Sequence, residues 1–219
     1  MGKTILTSHQ EKVLKILSSI SQFRNNFYFT GGTVLAEYYL KHRLSEDLDF
    51  FSEKEIDNIW LTSLAKNLKE KLQAIKTDLE NSFNRNLLFI TFEKEVLKTE
   101  FTYYPFYQIE KPKQINNIRV DSILDIAVNK FFTIYQKPTA RHFIDLYLII
   151  KKEKMDWEKL AKLARNKFDT SIDNIQLGSQ FIVANDISDI PIMLIPLDDH
   201  EWRSFFLEKA RELKKKIEK

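Results

Sequence analysis

The 219-residue chain has no cysteine and only four glycines and five prolines. Without cysteine there can be neither a disulfide framework nor a thiolate-held metal, which fits a reducing cytoplasm. So few glycines and prolines leave little material for flexible linkers. The apolar runs fall far short of the ~20 residues that a membrane span needs. The first residues, Met1-Gly2-Lys3-Thr4-Ile5-Leu6-Thr7-Ser8, contain no secretory hydrophobic region of about 7–15 residues. Strong charge of one sign is missing too: 34 basic against 31 acidic residues give a net charge of +3, so bulk electrostatics does not demand a nucleic-acid partner. The four histidines, His9, His42, His142 and His200, lack zinc-like spacing, and there is no Gly-x-Ser-x-Gly turn. What the composition does supply is 43% hydrophobic residues, enough at this length to fill one large or two small cores.

Two of the scarce glycines are adjacent. Phe27-Tyr28-Phe29-Thr30 reads as a buried strand, Gly31-Gly32 ends it, and Thr33 to Leu40 has the residues for about two helical turns. A glycine turn leading into a helix is a phosphate site, because the backbone can approach an anion closely and the free N–H groups of the helix start point at it. The next apolar stretch, Leu48-Asp49-Phe50-Phe51, is strand-like. Asp47 and Asp49 would then share a face, with Cα atoms about 6–7 Å apart at strand rise. That spacing suits carboxylates converging on Mg²⁺, which takes oxygen ligands and keeps positions open for water or substrate. Gly-Gly turns are common, and most Asp-x-Asp pairs are solvated strand ends. An anion cradle and metal carboxylates together imply a nucleoside triphosphate (NTP).

Along the rest of the chain, Glu11 to Phe23 carries an amphipathic helical stripe with Ser8 as its cap. Ser52 to Glu55 has a capping-box pattern that starts a second helix running to about Gln73, with Trp60 on its core stripe. Leu87–Phe92, Val96–Tyr104 and Asn117–Val120 are strand-like. In the second of these, Val96, Lys98, Glu100, Thr102 and Tyr104 share one face. Glu100 is therefore the natural third carboxylate beside Asp47 and Asp49, or else a cross-strand partner of Lys98.

From Asp121 the pattern is helical. Ser122 with Asp125 opens one helix, which places Lys130 on its apolar face as a candidate phosphate ligand. Thr139 caps the next helix, where Arg141 and Asp145 stand four apart as an on-helix ion pair. Asp156 to Lys219 reads as further helices, with an irregular connection from Ile187 to Pro196 and an Asp198/Glu201 cap on the last. These patterns divide the chain into residues 1–121, an α/β (α+β) core, and residues 122–219, a helical domain.

The order Gly31-Gly32-Thr33-Val34-Leu35-Ala36, then His42-Arg43-x-Ser45-x-Asp47-Leu48-Asp49-Phe50-Phe51, resembles the AbiEii/AbiGii-type toxin nucleotidyltransferases of the DNA-polymerase-β-like nucleotidyltransferase superfamily. Lys98-Thr99-Glu100-Phe101 resembles the family's Lys-x-acid-Phe strand, with Glu where Asp is common. Lys130 followed by Arg141-x-Phe143-Ile144-Asp145-Leu146 is similar to its Lys…Arg-Asp-x-x-Asp-Leu motif, with His142 in place of the first Asp.

The resemblance implies a nucleotidyltransferase fold, a mixed sheet flanked by helices and followed by a C-terminal helical bundle that closes over the nucleotide. It also implies transfer of a nucleotidyl group from an NTP. Asp47, Asp49 and Glu100 would hold two Mg²⁺ ions, Gly31, Gly32 and Thr33 would seat phosphates, and Arg43, Ser45, Lys130, Arg141 and Asp145 would be further nucleotide contacts. Members of this family are toxins of bacterial toxin–antitoxin and phage-defence systems. Some act on tRNA, so an RNA acceptor and a cognate antitoxin are the partners it implies. A catalytically inactive nucleotide- or RNA-binding module on the same fold is the alternative, and the intact Asp47/Asp49 pair favours the enzyme.

Overall fold

The computed structural model describes residues 4–217. The chain packs as two compact units, Met1–Tyr39 with Ser45–Ser122, and Leu40–Leu44 with Ile123–Lys219.

The first unit is built on a seven-stranded mixed sheet. Its strands are β1 (Tyr28–Thr30), β2 (Leu48–Ser52), β3 (Lys76–Ser82), β4 (Arg85–Thr91), β5 (Val96–Tyr103), β6 (Lys113–Ile115) and β7 (Ile118–Val120), in the order β3-β4-β5-β2-β1-β7-β6. The central strand β2 is antiparallel to β1 and parallel to β5. β2 alternates, with Leu48, Phe50 and Ser52 buried and Asp49 and Phe51 half-buried. One face of the sheet is thus apolar: Phe50 lies 5.3 Å from Phe101 and 5.2 Å from Phe29 between ring centroids. Asp49 and Glu100 are left on the other face.

The stripe expected as one helix from Glu11 to Phe23 is two, α1 (Ser8–Leu17) and α2 (Ser21–Asn26). The Ser18 and Ser19 hydroxyls donate back to the carbonyls of Lys15 and Ile16, offering the backbone a local alternative to the helical ladder. The cap of α1 is Thr7, in a capping box with Gln10, rather than Ser8. The start expected at Ser52 also moves. The Ser52 hydroxyl bonds Lys54, while Asp57 caps α4 (Asn58–Leu72) by accepting from the N–H groups of Ile59 and Trp60. Trp60 packs as its stripe predicts, stacked on Phe27 at 5.3 Å. β3 and β6 form the sheet edges, and their polar side chains suit an unpaired strand edge.

The second unit is helical: α5 (Ile123–Gln136), α6 (Ala140–Glu153), α7 (Trp157–Phe168), α8 (Asn174–Ile182) and α9 (Asp199–Ile217). Its core includes the fully buried Phe131, Phe143, Phe181, Trp202 and Phe206. Asp125, expected to act with Ser122 at a helix start, carries a buried ion pair with Lys167 at 2.7 Å. The start of α6 is held by Asp189, which accepts from the Ala140 N–H at 3.0 Å. The Thr139 hydroxyl faces His142 Nδ1 instead.

The segment from Ile187 to Pro196 is irregular, as expected, but it pairs through its backbone with Leu40–Leu44. The Leu44 N–H donates to the Ile192 carbonyl and the Leu194 N–H to the His42 carbonyl. Among the described residues no helix is long and apolar enough to cross a membrane.

Candidate active site

Where β1 ends, Gly31 has φ +80° and opens the short helix α3 (Gly31–Val34), which widens to a π-helical stretch over Leu35–Leu40. That backbone angle suits glycine, and the space demands it as well. A Cβ on Gly31 would run into the Asp49 carboxylate, with Cγ 3.1 Å away and Oδ2 closer still. The β1–β2 register accounts for the approach, because Thr30 is paired with Asp49. The segment leading into β2 is pinned from two sides. The buried Thr33 hydroxyl bonds the Asp47 carbonyl and lies 2.9 Å from Ser45 Oγ. Gln10 Nε2 donates to the carbonyls of Ser45 at 3.1 Å and Glu46 at 2.9 Å.

Asp49 is in register with Glu100 across the parallel β2–β5 pair. Register neighbours rise from the same sheet face on strands about 4.8 Å apart. The structure thus brings Gly31, Asp49 and Glu100 together. Asp47 pairs with Lys98, Oδ2 to Nζ 2.7 Å, and Glu100 pairs with Arg85, Oε2 to Nη2 2.5 Å. The strand pattern offers Glu100 as a partner for Lys98, but the partner Lys98 has is Asp47. Glu100 also accepts from the Thr102 hydroxyl at 2.8 Å.

Arg85, which sequence reasoning missed, has its guanidinium pKa pushed up first by the hydrogen bond to Glu100, with the charges of Asp49 and Asp47 adding to it against the cost of burial. Its signal was positional. Arg85 begins the strand preceding β5 and is paired with Thr102, two residues beyond Glu100.

Among the described residues, no group of three or more His, Cys, Asp or Glu is arranged to hold a metal ion. In kind the donors fit one, since Asp47, Asp49 and Glu100 offer the all-oxygen set that a hard divalent cation prefers. The missing Cβ of Gly31 gives the Asp49 carboxylate its place.

The second unit holds its own polar cluster around Asp145, which is fully buried. Arg43 grips it in bidentate fashion, Nε to Oδ1 2.7 Å and Nη2 to Oδ2 2.8 Å. Lys130 Nζ is 2.8 Å from Oδ2 and His42 Nε2 2.8 Å from Oδ1. Burial works to raise the Asp145 pKa, but the charges of Lys130 and Arg43 and the hydrogen bonds hold it well below the usual carboxylate range. The on-helix pair expected between Arg141 and Asp145 does not form: Arg141 is exposed and Asp145 takes its cations from α5 and from residue 43. His142 is pushed down to about 3, chiefly by burial and then by the charge of Lys130, so its ring is neutral at pH 7. His42 was also missed as a site member. Its Nδ1 is buried and has no hydrogen-bond partner.

A mixed seven-stranded sheet with helices, carrying carboxylates beside a glycine bend and continuing into a helical bundle, is the fold of a nucleotidyltransferase. The crystal structure of JHP933 from Helicobacter pylori matches it with a TM-score of 0.60 at 21% identity, covering 95% of this chain and 91% of that one. A candidate nucleotidyltransferase from Helicobacter pylori matches with the same TM-score of 0.60 at 20% identity, covering 97% of this chain and 98% of that one. In sequence, the uncharacterized protein aq_aa25 of Aquifex aeolicus (strain VF5) is 29% identical over 167 residues, 74% of this chain and 76% of that one. The family model "Nucleotidyl transferase AbiEii toxin, Type IV TA system" matches residues 13–215. The chain belongs to this AbiEii family of nucleotidyltransferases, whose substrates are NTPs.

Proposed function

We propose that the chain is a Mg²⁺-dependent toxin that transfers a nucleotidyl group from an NTP to the hydroxyl of an RNA acceptor, tRNA foremost, in the bacterial cytoplasm, under control of a cognate antitoxin. The single observation that carries the catalytic reading is the meeting of Gly31, Asp49 and Glu100 on one sheet face. The acceptor oxygen attacks the α-phosphorus in line, the bond to the β-phosphate oxygen breaks, pyrophosphate leaves, and the acceptor proton passes to solvent.

Asp47, Asp49 and Glu100 would hold the divalent ions, two in number by family resemblance. Such ions make an acceptor hydroxyl more acidic and neutralise phosphate charge. Backbone N–H groups of Gly31, Gly32 and Thr33 seat phosphate oxygens. The Thr33 and Ser45 hydroxyls act by fixing the segment that carries Asp47. In the second unit, Arg43 and Lys130 set two cations against the one carboxylate of Asp145, so that cluster keeps positive charge to offer a phosphate. The exposed Arg141 is a further phosphate contact.

The test is incubation with each α-³²P-NTP, Mg²⁺ and a cell extract. One NTP is expected to label an RNA band. Asp47→Ala with Asp49→Ala is expected to abolish the label while the circular dichroism spectrum is kept. Label undiminished by the double substitution would refute the assignment.

A further inference from the structure

We propose that Lys98 and Arg85 are resident counter-ions of the carboxylate cluster, neutralising Asp47 and Glu100 in the ion-free protein, and that a divalent ion loads by displacing them. This rests on the reading of Asp47, Asp49 and Glu100 as the metal ligands.

Asp49 and Glu100, in register on one sheet face, and Asp47 just before β2 repel one another unless a positive charge stands among them. Here two do, Lys98 at 2.7 Å from Asp47 and Arg85 at 2.5 Å from Glu100. Both come from the face that carries Glu100: Lys98 lies two residues before it on β5, and Arg85 is paired with Thr102, two residues after it. Both oxygens of Glu100 are engaged, Oε2 by Arg85 and Oε1 by the Thr102 hydroxyl. A Mg²⁺ ion sits about 2.0–2.1 Å from its ligand oxygens. An ammonium or guanidinium kept on the same carboxylate would then stand against a double positive charge with almost no screening between them.

The two cations are well suited to leave. The Arg85 side chain is 55% exposed and that of Lys98 28%, whereas the Glu100 side chain is 10% exposed and fixed on a central strand. Long side chains at such positions can turn to solvent without any change in the strands. Asp49 and Glu100 therefore stay in register on neighbouring strands in the ion-free protein, and the affinity for the ion is set partly by how firmly Lys98 and Arg85 hold their places.

The experiment is a Mn²⁺ titration of the full chain, followed by the electron paramagnetic resonance signal of the free ion. Lys98→Met and Arg85→Gln are each expected to bind Mn²⁺ about fivefold more tightly than the parent, the gain expected when a partly exposed ion pair no longer competes. Lys98→Arg, which keeps the pair, is expected to bind as the parent does. Lys76→Gln, which removes a positive charge from a sheet edge, is expected to stay within about twofold.

In EDTA the Lys98→Met and Arg85→Gln proteins are expected to melt lower than the parent, and Mn²⁺ to raise their melting temperature by more than it raises the parent's. Equal or weaker Mn²⁺ binding by both variants, with the parent binding normally, overturns the displacement proposal alone. Mn²⁺ binding that survives Asp49→Asn undiminished overturns the metal assignment beneath it.

Discussion

Gly31 and Gly178 lack the same atom for different reasons. At Gly31 a side chain meets both a left-handed backbone and the Asp49 carboxylate. Gly31→Ala is expected to cut nucleotidyl transfer about a hundredfold, the penalty for a catalytic group moved by an ångström, and to lower the melting temperature by several degrees in a thermal scan. At Gly178 in α8 an added Cβ meets nothing within 4 Å. Gly178→Ala is expected to raise the melting temperature slightly, since alanine is worth about 0.5–1 kcal/mol over glycine in a helix.

His142 gives a residue-scale dependence on pH. Its folded pKa is about 3 against an ordinary 6.5, so below pH 6.5 the unfolded chain takes a proton that the folded one refuses. Stability is expected to fall as pH drops from about 6.5 toward 3, by at most about 1.4 kcal/mol per pH unit from this one group. Urea midpoints measured across that range should flatten in His142→Gln.

At the scale of elements, α6 carries Asp145 in the middle of the run Phe143-Ile144-Asp145-Leu146-Tyr147, all of it buried. Asp145→Ala would leave Arg43 and Lys130 facing each other without their shared carboxylate. The expected loss is about 3–5 kcal/mol in urea denaturation, the usual cost of stranding a buried charge.

Much of this level was legible beforehand. The two-residue period of a strand, clear in the alternating burial of β2, put Asp49 and Glu100 on one face because the other side had to be apolar. The partners of Asp145 were less legible: its spacing offers Arg141 on the same helix, and Lys130 reads as a phosphate ligand, whereas Lys130 of α5 is one of the cations that meets Asp145. The others, His42 and Arg43, come from about a hundred residues earlier, where no local period could reveal them. Also hidden were the serine-driven break after α1 and the polar edge strands β3 and β6, whose pairing partner rather than their composition makes them strands.

At the scale of the whole chain, each unit has its own apolar interior, yet neither is one continuous stretch of sequence. The pattern change at Asp121 marks where the helices begin. It does not mark the second unit's whole membership, since Leu40–Leu44 belongs there and supplies both His42 and Arg43 to Asp145. Residues 123–219 made alone are expected to have a lower melting temperature by circular dichroism than the same residues co-expressed and purified with residues 1–122. An identical melting temperature would mean that Leu40–Leu44 contributes nothing to the stability of that unit.

Leu40–Leu44 also bears on heredity. Its codons lie upstream of those for every helix it serves, so recombination between related genes at the 122/123 junction would deliver the helices without their own histidine and arginine. Hybrids should survive only where both parents carry a compatible His-Arg pair, which ties the descent of the two halves together.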